Sequence, residues 1–249
     1  MEIVGHGFLA RNLRPVAGRH PDVVAVASGV SSTAAVSDAE FLREATQLYE
    51  IVQRCRSARR KVVFFSTAAA AMYGAPVGHG REDGPVYPYS PYGRHKLALE
   101  AVLAASGADY LVLRLSHVVG ADQPPHQLLP ALVRQVMSGT VRLYRGARRD
   151  LVDVVDVVAV LDGLLSAGVS NEVVNVASGQ ATPVELIVEH IERRLGRVAA
   201  KELVEISGSH SAAPISVEKI HRLAPGTMGD RDYRTVLDKY IPATVGATT

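Results

Sequence analysis

Tyr92 and Lys96 are the side chains with the clearest chemical potential, four positions apart in the stretch Ser-Pro-Tyr-Gly-Arg-His-Lys at 90–96. If the segment after Pro91 is helical, both side chains project from one face of the helix, one turn apart. A lysine ammonium beside a phenol favours the phenolate and lowers the pKa of the tyrosine. Tyr92 could then give or take a proton near neutral pH, although an ordinary surface helix can show the same spacing.

A glycine-rich turn opens the chain. Residues 2–4 predict a short strand, and Gly-His-Gly-Phe-Leu-Ala at 5–10 follows as a G-x-G-x-x-A turn into a helix. The first glycine permits the tight turn, the second lets a pyrophosphate approach backbone N–H groups, and the small third residue lets helix and strand pack closely. The motif predicts dinucleotide binding, but alone it is a weak signal.

Predicted strands and helices alternate along most of the chain. Strands are expected at 23–28, 61–65, 110–115, 141–144 and 172–177, and helices at 38–59, 92–107, 128–137, 154–165 and 183–195. The alternation predicts an α/β protein whose parallel sheet carries helices on both faces. Ligands bind such a sheet beyond the carboxyl ends of its strands. Residues 203–206, 217–223 and 233–240 are expected to complete a mixed C-terminal lobe.

The composition narrows the class of partner. A net charge of +2 with mixed signs does not indicate a nucleic-acid or anionic-membrane partner, and no apolar run approaches the ~20 residues of a membrane span.

The one cysteine, Cys55, cannot form an internal disulfide, which fits a reducing compartment. With no signal peptide recognised after Met1, we expect a cytoplasmic protein. No Cys/His/acid cluster has metal-ligand spacing, so no metal site is expected.

In series, the motifs resemble the extended short-chain dehydrogenase/reductase superfamily of nucleotide-sugar epimerases, dehydratases and ketoreductases. The matching segments are 5–10, Val-Phe-Phe-Ser-Thr at 63–67, Met-Tyr-Gly at 72–74, 90–100, 113–120, Arg-Asp-Leu-Val-Asp-Val-Val-Asp at 149–156 and Asn-Val-Ala-Ser-Gly at 175–179. Within that family the chain looks most like the short NDP-hexose 4-ketoreductases of antibiotic deoxysugar pathways. The resemblance implies a Rossmann-like core at 1–120 and a substrate lobe at 121–249, with 140–180 partly in the core.

One departure from the family concerns the sheet. Residues 22–27 look like the family's fourth strand, so the resemblance implies that the second and third strands and the helix between them are absent, which would leave the first strand near a sheet edge. The acid that reads the adenosine ribose at the end of the second strand is therefore missing. Arg11, helped by Arg14 or Arg19, could instead meet a 2′-phosphate, so the expected cofactor is NADPH, with NADH possible. Each arginine could equally be a solvated surface residue.

The resemblance also implies the site residues. Tyr92 would be the proton donor, Lys96 would bond the nicotinamide ribose, and Thr67, with Ser66 as the alternative, would hydrogen-bond the substrate carbonyl. The expected cofactor-binding residues are Gly5, Gly7, Phe8, Leu9, Arg11, Ala27, Ser28, Gly29, Ser66, Tyr92 and Lys96. The expected substrate-binding residues are Thr67, Met72, Tyr92, His117, which replaces the family's asparagine, and Arg149, which would bind the diphosphate unless an Asp150 or Asp153 ion pair occupies it.

The expected reaction is NADPH-dependent reduction of the C4 ketone of a dTDP-4-keto-6-deoxyhexose. Ala68 and Ala69 stand where a dehydratase would place Asp-Glu, which disfavours that reaction. Two alternatives stay open: an epimerase with tightly bound NAD, and a non-catalytic module that binds a nucleotide sugar or dinucleotide. A homodimer through the helices at 40–56 and 92–105 is expected from the family.

Overall fold

The computed structural model describes residues 1–30, 37–68, 70–73, 80–205, 214–229 and 232–246. Its strands are β1 (Glu2–Val4), β2 (Val23–Val26), β3 (Lys61–Thr67), β4 (Tyr110–Leu115), β5 (His117–Val119), β6 (Thr140–Tyr144), β7 (Arg148–Asp153), β8 (Glu172–Val176), β9 (Ala181–Pro183) and β10 (Ala200–Val204). Its helices are α1 (Phe8–Ala17), α2 (Asp38–Ala58), α3 (Ala70–Tyr73), α4 (Pro91–Ala105), α5 (Leu128–Ser138), α6 (Val154–Ser166), α7 (Val184–Leu195), α8 (Glu218–Leu223) and α9 (Tyr233–Gly246).

Local sequence signals set where the two helices beside the site begin. The α2 helix begins with a capping box in which the Ser37 hydroxyl accepts from the Glu40 N–H and the Glu40 carboxylate accepts from the Ser37 N–H. The α4 helix has Pro91 as its first residue, where a missing N–H costs nothing, and the Ser90 hydroxyl accepts from the Gly93 N–H at 3.0 Å. These caps fix the start of the helix that carries Tyr92 and Lys96.

Within the described residues, five parallel strands form the main sheet in the order β1-β2-β3-β4-β8. Their registers include Ile3 opposite Ala25 and Phe64 opposite Val112. The predicted α/β class, with a Rossmann-like parallel sheet flanked by helices, is confirmed. β1 lies at the sheet edge, as expected for a core that lacks the family's second and third strands.

Two apolar cores cover the two faces of this sheet. On one face, Leu13 of α1 packs with Val157 and Leu161 of α6 over the strands, and on the other, α2 and α4 pack together over Val24 and Phe64. The helices that follow β1 and β2 therefore lie on opposite faces of the sheet, and α4 shares the face of α2.

A second group of strands and helices begins with β5. β5, β7 and β9 form a three-stranded sheet, β6 pairs with β10, and α5, α7 and α9 bury a core with them. β8, α6 and α8 return to the main sheet, and Ile220 of α8 packs into the same core as α6. The division at residue 120 therefore stays a prediction, because segments on both sides of it build the main sheet.

Across the described ranges, no helix combines the length and apolar character that a membrane crossing needs. In the same residues, no group of three or more His, Cys, Asp or Glu is placed to hold a metal ion.

Candidate active site

The glycine turn lies directly after β1, against the end of β2. Gly5 has a φ of +127°, and a Cβ at this position would lie 2.5 Å from the carbonyl oxygen of Ala27, so a larger residue does not fit. Gly7 is the exposed N-cap of α1, and a Cβ there would meet no atom within 4 Å. The N–H groups at the start of α1 therefore face an open approach, which is an arrangement that binds phosphate.

Three neighbouring residues of the turn differ in their burial and in their contacts. The Phe8 side chain is buried and packs against Gly120, where an added Cβ would lie 2.7 Å from its ring, so its predicted role in cofactor binding can involve only its backbone. Leu9 packs partly buried against the α1–α6 core. Arg11 is exposed and donates to the carbonyls of His6 at 3.3 Å and Asp122 at 3.0 Å, so its guanidinium lies beside the turn.

The other two arginines considered for the 2′-phosphate lie further along the first helix. Arg14 is exposed in the last turn of α1. Arg19 follows that helix and pairs with Asp162 at 2.6 Å, at the opposite end of α1 from the glycine turn. The expectation that Arg19 helps to bind the adenosine is therefore wrong, because the length of α1 separates it from the turn.

Lys96 is buried at the carboxyl end of β3. Its Nζ donates to Glu44 Oε1 at 2.7 Å and to the Phe65 carbonyl at 3.2 Å, and it lies 5.7 Å from the centre of the Tyr92 ring. Burial lowers the pKa of Lys96, and the Glu44 carboxylate opposes that change. The helix α4 thus brings Tyr92 and Lys96 together as their spacing predicts, but the ammonium already has a carboxylate partner.

The pKa of Tyr92 moves opposite to the direction expected from Lys96 alone. Burial raises the pKa of the Tyr92 phenol, and the negative charge of Glu44 raises it further. The sequence-based expectation of a lowered pKa is therefore wrong for this arrangement, because it left out both the desolvation of the ring and the carboxylate that offsets Lys96. The phenol is in its protonated form at neutral pH.

Glu44 is a site residue that the sequence reasoning missed. It is 2% exposed, and besides Lys96 it contacts His95 Nε2 at 3.0 Å and accepts from the Val30 N–H at 3.1 Å. An added Cβ at Gly29 would collide with its carboxylate, so α2 and the end of β2 are in close contact there. A signal was present, because Glu44 lies one turn before Leu48 on the buried face of α2.

Two further predicted cofactor residues follow β2. Ala27 donates its N–H to the Val4 carbonyl at 2.8 Å, which ties it to the glycine turn. The Ser28 hydroxyl donates to the side chain of Gln47 in α2. Together with Gly29 they form the wall between the glycine turn and Lys96, so the structure brings these predicted residues to one edge of the sheet.

Ser66 and Thr67 lie on opposite faces of β3. The Ser66 hydroxyl donates to Glu100, whose carboxylate also forms a buried ion pair with Arg114 at 2.7 Å. The alternative assignment of Ser66 as the catalytic hydroxyl is therefore wrong, since its side chain belongs to this buried network. Thr67 is buried at the carboxyl end of the strand, opposite Leu115, and its catalytic role stays a prediction.

The same network reaches across the sheet. Arg114 donates to the Tyr73 hydroxyl at 3.0 Å, Tyr73 donates to Asn175 Oδ1 at 2.6 Å, and Asn175 donates to the Gly80 carbonyl at 2.8 Å. Met72, beside Tyr73, is fully buried in an apolar cluster. The expectation that Met72 contacts substrate is therefore wrong for its side chain, which fills the core under α3.

His117 and Arg149 come together where β5 runs beside β7. Burial and the positive charge of Arg149 lower the pKa of His117 to about 3, and its Nδ1 has no partner in the described part of the chain. Arg149 is half-buried, donates to its neighbour's carbonyl at 2.8 Å, and forms no ion pair with any described residue. Asp150 is instead bound to the Ser178 N–H, and Asp153 pairs with Lys239.

Two tyrosines that the sequence reasoning did not select act on this arginine. Burial lowers the pKa of Arg149, and the phenols of Tyr89 and Tyr144 oppose that change. Both rings are exposed, at 49% and 39% respectively. Their position predicts a surface on which an aromatic base could lie beside a bound diphosphate.

Comparison with known proteins identifies the family of the chain. The sequence model of the "NAD dependent epimerase/dehydratase family" matches residues 10–177. A dTDP-6-deoxy-L-talose 4-dehydrogenase (NAD(P)(+)) of Kitasatospora kifunensis is 35% identical over 153 residues, 56% of this chain and 48% of the relative. A UDP-glucose 4-epimerase of Azospirillum brasilense is 48% identical over 67 residues, 25% of this chain and 19% of the relative. The chain thus spans at most about half the length of these relatives.

A solved structure gives the same fold. MoeE5 in complex with UDP-glucuronic acid and NAD superposes with a TM-score of 0.85 at 20% identity, covering 99% of this chain and 100% of that chain. At this identity the likeness establishes the fold and leaves the reaction open.

Proposed function

Because the chain belongs to the NAD dependent epimerase/dehydratase family, we propose that it reduces the C4 ketone of a dTDP-4-keto-6-deoxyhexose with NADPH, or with NADH. The observation that carries the proposal is the Tyr92–Lys96 pair at the carboxyl ends of the strands, facing the Gly5 turn across the Ala27–Gly29 wall. A phenol that is protonated at neutral pH suits donation of a proton to a carbonyl oxygen.

The glycine turn has the open backbone that binding of a dinucleotide requires. Gly5 forms a corner that only glycine can occupy, and the open N-terminus of α1 offers N–H groups to a pyrophosphate. When bound, the reduced nicotinamide supplies the hydride. The chain's own residues position the reactants and hold the proton: Tyr92 donates it to the developing alkoxide, and Thr67 hydrogen-bonds the carbonyl oxygen.

The nucleotide sugar would be held at the other side of the cleft. Arg149 carries a positive charge with no ion pair among the described residues, so it can bind diphosphate oxygens bidentately. His117 is neutral at physiological pH and lies beside it. The dTDP-6-deoxyhexose assignment is supported by the name of the Kitasatospora relative, which places oxidation at position 4 of such a sugar.

A direct assay tests the proposal. The protein is incubated with dTDP-4-keto-6-deoxyglucose and either NADPH or NADH, and loss of absorbance at the reduced nicotinamide band is followed. We expect stoichiometric consumption, abolished by Tyr92→Phe with cofactor binding retained, and unchanged by Tyr49→Phe on the exposed face of α2. Full turnover in the Tyr92→Phe protein would refute the assignment of the proton donor.

An epimerase is the second candidate, and the Azospirillum relative favours it. An epimerase recycles its cofactor, so NAD⁺ would copurify with the protein and no net NADPH would be consumed. Release of the cofactor by denaturation, followed by its spectrum, separates the two reactions. A protein that binds no NADPH in a fluorescence titration would support the non-catalytic module instead.

A homodimer through α2 and α4 forms part of the proposal. Leu42 and Tyr49 of α2 are 69% and 59% exposed, and α4 beside it exposes Ala98 and Ala101. A second copy of this surface would cover these apolar side chains. Sedimentation velocity should show a dimer that Leu42→Asp converts to a monomer, whereas a wild-type monomer would contradict the assignment.

A further inference from the structure

A buried cluster of charged groups adjoins the proton donor. Glu44 is enclosed between α2, α4 and the end of β2, with Lys96 Nζ at 2.7 Å, His95 Nε2 at 3.0 Å and the Val30 N–H at 3.1 Å. Lys96 also lies 4.9 Å from the centre of the Phe64 ring. Each carboxylate oxygen of Glu44 therefore has a hydrogen-bond partner, and these contacts hold the carboxylate in one position.

The Lys96 ammonium is the group that would otherwise stabilise a Tyr92 phenolate. A carboxylate 2.7 Å from it, in a site from which water is largely excluded, offsets its charge at the distance of the phenol. The Glu44 side chain is 2% exposed, so salt and solvent screen this effect little. The pair thus behaves as a dipole near Tyr92 and contributes much less than an isolated positive charge.

We propose that Glu44 is a positioning residue that neutralises Lys96 and thereby keeps the Tyr92 phenol protonated in the resting site, which is the form that can give a proton to a carbonyl. In the reductive step the Tyr92 O–H bond breaks as the substrate oxygen gains the proton and the carbonyl carbon gains the hydride. Solvent reprotonates the phenolate between turnovers. The catalytic consequence rests on the proposed reductase function.

Within the described residues, charged groups from two helices surround this cluster. α2 contributes Glu44, and α4 contributes His95, Lys96 and, from further along the helix, Glu100, which also acts on Lys96. β3 contributes the Phe65 carbonyl and the Phe64 ring. Glu44 acts on Tyr92 directly as well as through Lys96, and both effects favour the protonated phenol.

The experiment measures the ionisation of Tyr92 without any cofactor. The protein is labelled with tyrosine carrying ¹³C at Cζ, the Tyr92 resonance is assigned with Tyr92→Phe, and the signal is followed from pH 6 to 12. In the wild type, Tyr92 should stay protonated over most of this range. In Glu44→Gln the fraction of Tyr92 that is ionised at the upper end of the range should rise about tenfold, which corresponds to a fall of about one unit in its midpoint. Glu50→Gln, at an exposed position of the same helix, is the matched control and should leave the midpoint unchanged.

A second variant keeps the test decisive if Glu44→Gln does not fold. Glu44→Asp retains the charge but withdraws it from Lys96 by one methylene, so Tyr92 should titrate between the wild type and Glu44→Gln. A folded Glu44→Gln protein, or failing that a folded Glu44→Asp protein, whose Tyr92 midpoint equals that of the wild type would overturn the inference.

Kinetics provide a second measurement of the same effect. In Glu44→Gln the pH profiles of kcat/KM for reduction of the ketone and for oxidation of the alcohol product should both move to lower pH, because each direction uses one ionisation state of Tyr92. If no sugar is turned over by the wild type, the proposed function fails, while the tyrosine titration still decides whether Glu44 controls the phenol. If turnover is present and neither profile moves, the role assigned to Glu44 in catalysis is wrong.

Discussion

Gly5 and Ala27 are in contact so close that no side chain fits between them: a Cβ on Gly5 would lie 2.5 Å from the Ala27 carbonyl oxygen. The contact joins the turn after β1 to the end of β2, and it holds the start of α1 open. The backbone of Gly5, at a φ of +127°, is also one that other residues rarely adopt.

We predict that Gly5→Ala destabilises the protein and abolishes dinucleotide binding. Backbone strain alone costs about 1–3 kcal/mol, and the clash with Ala27 pushes β2 away from the turn. Thermal unfolding and an NADPH fluorescence titration measure the two effects. Gly18→Ala is the matched control, because Gly18 lies in an ordinary helical conformation with nothing within 4 Å of an added Cβ. A Gly5→Ala protein that binds NADPH normally would contradict the role of the turn.

The buried Arg114–Glu100 pair should dominate the stability of the region under Tyr92. Glu100→Gln leaves the Arg114 charge without its carboxylate and the Ser66 hydroxyl with a weaker acceptor, so we expect a loss of about 3–5 kcal/mol in the free energy of unfolding. Urea denaturation measures this change.

The control for this prediction is an ion pair at the surface of the protein. Arg145 and Glu205 pair at the surface with side chains 64% and 72% exposed, so Glu205→Gln should change the free energy of unfolding by no more than about 1 kcal/mol. Equal losses in the two variants would show that burial does not increase the contribution of the Arg114–Glu100 pair to stability.

His117 should make stability depend on pH. Its pKa falls from 6.5 to about 3 on folding, so the unfolded chain binds the proton first as pH is lowered. The contribution is complete above pH 6.5 and is lost progressively as the pH falls toward 3. His117→Asn should flatten this part of the curve of unfolding free energy against pH, whereas His126→Asn, at an exposed position, should not. A His117 resonance that titrates near pH 6.5 by NMR would contradict the prediction.

Arg149 should set the affinity for the nucleotide diphosphate. Arg149→Lys keeps the charge but loses the fork that binds two oxygens, and we expect dTDP to bind about tenfold or more weakly by calorimetry, with a larger loss for Arg149→Ala. Arg148→Ala is the control, because Arg148 is exposed and donates to the Ala181 carbonyl. Equal effects at both positions would place the diphosphate elsewhere.

Local patterns in the sequence determined the elements and the motif residues. The apolar runs predicted the strands, the Ser90–Pro91 pair set the start of α4, and the spacing of Tyr92 and Lys96 placed them together, because helix periodicity and capping act over a few residues. The edge position of β1 followed from the resemblance to the family, whose second and third strands have no counterpart in the sequence. The strands β5, β7 and β9 were not predicted, because their sequences His-Val-Val, Arg-Arg-Asp-Leu-Val-Asp and Ala-Thr-Pro have no long apolar run, and no glycine turn marks them as one marks β1.

The tertiary structure alone decided which partners these residues have. Burial of the phenol, and then the negative charge of Glu44, raise the pKa of Tyr92 where a fall was expected, and Glu44 lies 52 positions from its partner Lys96. Packing placed Ser66 against Glu100, Met72 in the core and Arg19 at the far end of α1. Desolvation and charge pairing depend on groups that approach only when distant segments fold together, so a list of residues in order cannot contain them.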